Sequence, residues 1–296
     1  MRYRPFSHSG MAISALSLTL TDPEGRQEPG YWRSLVHAAF EAGINAFDLQ
    51  APTPSLVAGF AEGISVVERR LLFIGLQLRG NRSPKAFGEL AHRIVAAGRL
   101  TELDLLTVEG TDGVAPDLVD ELSALKAQGL ARRIGVAGEC DVVEDHVLSG
   151  RFDALVCPYS ILSGWRDRRM IREAVDQQMA VMGSDPFPER VRAVIQAPKP
   201  KPKVGWFSKP KYDPLDGVGT YAFLTETANW TPEQICIGYA LTEPSLASVQ
   251  VIVDDPVHLA EVAEATERVL PTAAGAQIEM ARFSADEQAA EERRRA

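Results

Sequence analysis

Short apolar runs alternate with amphipathic stretches along nearly the whole chain. Runs suited to buried parallel strands fall at 44–48, 72–78, 104–108, 133–137, 154–157, 180–183 and 247–252. Residues 2–20 precede them and read as a hairpin followed by a first strand, ending at the turn-forming Thr21-Asp22-Pro23-Glu24-Gly25. Eight barrel-type strands result. Between them, helical periodicity predicts helices over 31–42, 84–97, 116–128, 141–148, 168–178, 231–241 and 256–270. In the first of these, Leu35, Ala38, Ala39 and Ala42 share one face, and Gly43 follows as a natural stop. Thr231-Pro232-Glu233-Gln234 is a strong start, with Thr as N-cap, Pro at the first helical position and Gln closing a capping box.

This alternation defines βα units, which admit either a closed barrel or an open doubly wound sheet. Periodicity does not separate the two. No GxGxxG follows a strand, which weighs against an open-sheet dinucleotide fold. Two segments stand apart. Residues 197–219 (APKPKPKVGWFSKPKYDPLDGVG) are rich in Pro and Lys and predict an extended loop, a local basic patch carrying Trp206, Phe207 and Tyr212. Residues 272–296 end in SADEQAAEERRRA and read as a charged tail with solvated helical character, leaving 1–271 as one barrel domain.

Composition narrows the function. A chain of 296 residues, 45% of them hydrophobic, buries one large core without splitting. A formal charge of −9 argues against a polyanion such as nucleic acid as partner. No apolar run reaches the roughly 20 residues that cross a bilayer, and MRYRPFSHSG lacks the apolar core of a signal peptide, so a cytoplasmic protein without membrane insertion is expected. Cys140, Cys157 and Cys236 are odd in number and show no CxxC spacing. They predict neither disulfides nor a zinc site, but buried small hydrophobes.

Six blocks then fall in order with consistent spacing: RPFSHSGMAISALSL, EAGINAFDLQ, TELDLLTVEG, ARRIGVAGE, LVCPYSIL and IGYALTEPSLASVQV. Together they resemble the aldo-keto reductase family over nearly the whole length. The resemblance implies an α/β fold, a (β/α)8 TIM barrel with an N-terminal hairpin, whose nucleotide site lies at the C-terminal strand ends. It also implies carbonyl reduction by a tetrad of Asp, Tyr, Lys and His. The Asp falls on Asp48, but the Tyr falls on Thr53, the Lys on Gln77 and the His on Glu109. An aliphatic hydroxyl titrates far above a phenol and is no proton donor at neutral pH. No Tyr occurs between Tyr31 and Tyr159, and Lys85 and Lys126 belong to predicted helices, so no competent catalytic set is expected. Glu109 is the alternative acid, if burial raises its pKa.

For the cofactor, the resemblance places the nicotinamide-amide positions on Ala137, Gly138 and Val156 and the ring-stacking position on Ser184. It further implies contacts from Asp48, Gln77, Asp185, Phe187 and Arg190, and from Asp255, His258 and Glu261 near the adenosine. The family's 2′-phosphate clamp falls on Ile252, Val253 and His258, with Asp254 and Asp255 interposed. Carboxylates repel a phosphate dianion but accept hydrogen bonds from ribose hydroxyls, so NAD(H) is expected and NADP(H) disfavoured.

The expected function is a catalytically inactive, NAD(H)-responsive regulator acting through protein partners. Degenerate family members that regulate bacterial cell division imply a tubulin-like division GTPase or a histidine kinase as such partners. The alternatives are an active NAD-dependent oxidoreductase with Glu109 as proton donor, and an interaction barrel that binds no nucleotide.

Overall fold

The apolar runs close on themselves. The computed structural model describes residues 1–6, 10–25, 27–110, 113–196, 221 and 223–282. An antiparallel hairpin, β1 (Tyr3–Pro5) and β2 (Ala12–Ser14), comes first. The eight barrel strands are β3 (Leu16–Thr21), β4 (Ala46–Gln50), β5 (Phe73–Arg79), β6 (Leu105–Glu109), β7 (Ile134–Ala137), β8 (Ala154–Pro158), β9 (Ala180–Ser184) and β10 (Leu246–Val251). All are parallel and pair in chain order, with β10 returning to β3, so the predicted barrel and its hairpin are both present.

Helices α1 (Pro29–Glu41), α2 (Pro54–Ile64), α3 (Pro84–Ala97), α4 (Pro116–Ala127), α5 (Cys140–Leu148), α6 (Trp165–Asp176), α7 (Glu189–Gln196), α8 (Phe223–Glu226), α9 (Pro232–Ala240) and α10 (Pro256–Glu264) surround the strands. On β3, Leu16, Leu18 and Leu20 join the main core beneath the helices, while Ser17 and Thr19 alternate with them. The hairpin closes the N-terminal end of the barrel. Phe6 packs there with Ile13, Ala46, Leu105, Ala154 and Ala180, its ring 4.6 Å from that of Phe73.

Several boundaries differ from the sequence reading. The second barrel strand runs 46–50, not 44–48, because its ladder pairs Phe47 with Leu18 and Asp48 with Gly75. Helix α2 was absent from the expected elements, although it has a regular start with Thr53 as N-cap and Pro54 behind it. Its glycines serve packing. A Cβ on Gly59 would stand 2.1 Å from the Pro29 carbonyl oxygen, so α1 and α2 touch through their backbones there. Helix α6 starts at Trp165, ahead of the expected 168, because the Asp167 carboxylate accepts a hydrogen bond from the Gly164 amide at 2.7 Å.

The final expected helix, 256–270, stops at Glu264. A further helix over 272–282 follows, with Ala274 and Ile278 packed against Val191, Leu224, Ile235 and Tyr239. Glu279 on it accepts hydrogen bonds from Arg168 and Tyr239, each at 2.8 Å. All three cysteines are buried and unpaired. The Lys/Pro-rich segment 197–219 and residues 283–296 lie outside the described residues. No helix among the described residues is long and apolar enough to cross a membrane.

Candidate functional site

The C-terminal strand ends frame a cavity of about 320 Å3. Gln77 of β5, Glu109 of β6 and Ser184 of β9 line it, so three of the candidate residues meet at the barrel mouth. Ala137, Gly138 and Val156 line it too, offering no side-chain donor or acceptor. Gln50, Glu139 and Gln250, which the sequence reading did not single out, complete its polar wall. They answer to no motif, and the one available signal was a polar residue at an inward position near a strand end. Glu109 faces Arg79, with 3.9 Å between carboxylate and guanidinium.

Asp48 lies below this floor, on β4. It is 3% exposed and receives a hydrogen bond from the Gln50 amide at 3.4 Å. Burial pushes its carboxyl up to about 6, opposed only in part by hydrogen bonds from Gln50 and Gln250. No cationic side chain contributes to that balance.

Thr53 is used elsewhere. Its hydroxyl accepts the Leu56 amide at 3.3 Å as the cap of α2 and donates to the buried Asp22 carboxylate at 3.0 Å. This residue is a structural cap outside the mouth lining, and no proton donor of the phenol type stands among the described lining residues. Thr53→Ala is expected to cost about 1–2 kcal/mol in urea unfolding, with Thr53→Ser recovering most of that loss.

A second cavity of about 200 Å3 gathers Phe187, His258 and Glu261, together with Glu233 and Gln234. His258 Nε2 lies 2.7 Å from a Glu233 carboxylate oxygen. The Arg192 guanidinium stacks 5.3 Å from the Phe187 ring centre. Asp255 caps α10 by accepting the His258 amide at 2.8 Å. Neither Asp255 nor the exposed Asp185 and Arg190 is among the residues lining either cavity. The candidate cofactor residues thus divide into Gln77 and Ser184 at the mouth, Phe187, His258 and Glu261 in the second cavity, and Asp48, Asp185, Arg190 and Asp255, which line neither.

The aldo/keto reductase family model matches residues 17–282. The chain belongs to the aldo/keto reductase family. Similar solved structures include the aldo-keto reductase AKR11C1 from Bacillus halodurans. Its apo form is 16% identical with a TM-score of 0.71, covering 95% of this chain and 96% of that one. The holo form is 17% identical, also at 0.71, with the same coverage. An aldo-keto reductase from Klebsiella pneumoniae in complex with NADPH is 14% identical at a TM-score of 0.72, each chain covered to 94%. At these identities the likeness concerns the fold. No curated protein matches the sequence.

Proposed function

We propose that this chain is a degenerate aldo-keto reductase that regulates protein partners in response to NAD(H) and does not reduce carbonyls by the family tetrad. The observation that carries this reading is the state of the mouth. Gln77 and Glu109 occupy positions that the family resemblance assigns to an ammonium and an imidazole, while the Thr53 hydroxyl is committed to Asp22 and to the start of α2. Hydride transfer to a carbonyl needs a proton at the developing alkoxide, and a primary amide supplies none at neutral pH.

The fit of a nicotinamide dinucleotide is uneven. Phe187, His258 and Glu261 share a cavity on the adenosine side, where Glu233 adds a further carboxylate. That charge favours free ribose hydroxyls over a 2′-phosphate. The nicotinamide end fits poorly, because Ala137, Gly138 and Val156 offer no side-chain hydrogen bonds and Ser184 no ring to stack on. Hence the nucleotide is read as a signal, not a hydride source. Among degenerate relatives the chain resembles KidO, an oxidoreductase-like regulator of bacterial cell division. That resemblance supports a tubulin-like division GTPase or a histidine kinase as partner in the cytoplasm.

Equilibrium titration followed by nucleotide fluorescence tests the proposal. NADH is expected to bind at least about tenfold more tightly than NADPH, a difference of about 1.4 kcal/mol. Turnover with a panel of aldehydes and quinones should not rise above the enzyme-free rate. Equal binding of both nucleotides removes the NAD(H) assignment, and steady reduction abolished by Glu109→Ala establishes the second reading, an active oxidoreductase. That reading has one observation in its favour, the placement of Glu109 on the mouth wall.

A further inference from the structure

Five successive strands around the barrel place deeply buried polar side chains in its interior, whereas the other three carry one inward polar residue, Ser184 of β9, at the mouth. Ser17 lies in register with Gln250, Thr19 with Asp48, and Thr107 with Gln77. Ala137 of β7, Ala154 and Val156 of β8, and Ala180 and Met182 of β9 supply an apolar cluster instead. Ser17, Thr19, Asp48, Thr107 and Gln250 are buried, none more than 4% exposed.

These groups are poorly satisfied. Asp48 receives a hydrogen bond from Gln50 and has Gln250 as a further polar neighbour, and both are neutral. Ser17 Oγ, Thr19 Oγ1, Gln77 Oε1, Thr107 Oγ1 and Gln250 Oε1 are buried oxygens without any hydrogen-bond partner. Native interiors leave few such atoms, so five of them on the same run of adjacent strands as Asp48 point to a bound species. Two glycines make room for the cluster. A Cβ on Gly75 would stand 2.5 Å from Asp48 Oδ1, and one on Gly135 would stand 3.0 Å from Thr107 Oγ1.

We propose that this sector binds one monovalent metal cation, of the sodium or potassium type, through the Asp48 carboxylate and the side-chain oxygens of Ser17, Thr19, Gln77, Thr107 and Gln250. Every donor is a hard oxygen, and a single carboxylate balances a single positive charge. Among the described residues no group of three His, Cys, Asp or Glu side chains offers a site for a more highly charged ion. Oxygens around a common ion repel each other and stand beyond hydrogen-bonding reach, which accounts for hydroxyls that lie in one sector yet bond to nothing. The ion supplies the counter-charge that neutral Gln77 lacks. Gln77 and Gln250 also line the mouth cavity, so the floor of the mouth is the roof of this site.

The site is independent of the nucleotide reading, and its test uses no nucleotide. Thermal unfolding of the full chain at pH 8 is compared in choline, lithium, sodium and potassium chloride at equal ionic strength. Sodium or potassium is expected to raise the melting temperature by about 3 °C or more over choline, saturating with concentration. Asp48→Asn should abolish that difference and Thr107→Val should reduce it. Equal melting temperatures in all four salts would overturn the proposal, leaving buried water as the occupant. An undiminished gain in Asp48→Asn would overturn it as well, since the salt would then act elsewhere.

Discussion

Asp48→Asn is expected to stabilise the protein by up to about 3 kcal/mol in urea unfolding at pH 8, in a buffer free of alkali cations. The gain comes from removing a buried negative charge that has no cationic neighbour. Burial moves this carboxyl from 3.8 to about 6, so the folded state binds the proton more readily than the unfolded state. The sign follows directly. The favourable contribution is complete below about pH 3.8 and is lost as pH rises through about 6. Wild type should therefore gain stability on acidification across that window, and Asp48→Asn should flatten the profile there. An asparagine amide also brings two N–H donors to a sector rich in unpartnered oxygens. A variant no more stable than wild type at pH 8 would show that a counter-charge already sits beside Asp48. Adding potassium chloride should narrow the gap between the two proteins.

Phe6→Ala is expected to lower stability by about 3–5 kcal/mol. The Phe6 ring is fully buried at the closed end of the barrel, in contact with Phe73 and beneath the Arg133 guanidinium at 5.4 Å. A ring of paired strands holds the surrounding wall in place, so the space left by the phenyl group cannot collapse. Calorimetry on the full chain checks this. A loss below about 1 kcal/mol would mean that the hairpin contributes little to closing the barrel.

The βα alternation was legible because each strand pairs a helix-facing apolar row with a short length, and because caps such as Thr231 with Gln234 are local chemistry. Closure was not legible. Periodicity reports which residues are buried, and a strand in an open sheet is buried in the same way. Family blocks, not physical pattern, separated the two. Helix α2 was not among the predicted helices; its Gly59 and Gly63 serve the close contact with Pro29 and Val36, which no linear pattern shows. The candidate mouth residues Gln77, Glu109 and Ser184 do converge, as their positions near strand ends required. Asp185, Arg190 and Asp255 were assigned by correspondence alone, and their side chains line neither cavity. The polar interior was visible in part, since Ser17 and Thr19 alternate with Leu16, Leu18 and Leu20. What no linear pattern conveys is that these polar residues fall on five adjacent strands of one closed barrel.

The pairing of β3 with β10 has a consequence for synthesis. The earliest barrel strand has its second neighbour more than two hundred residues away, so one flank of the growing sheet stays open until Leu246–Val251 has been synthesised. Nascent intermediates must carry the Leu16–Thr21 edge unprotected, and any delay in delivering the closing strand lengthens the interval in which that edge can recruit another chain.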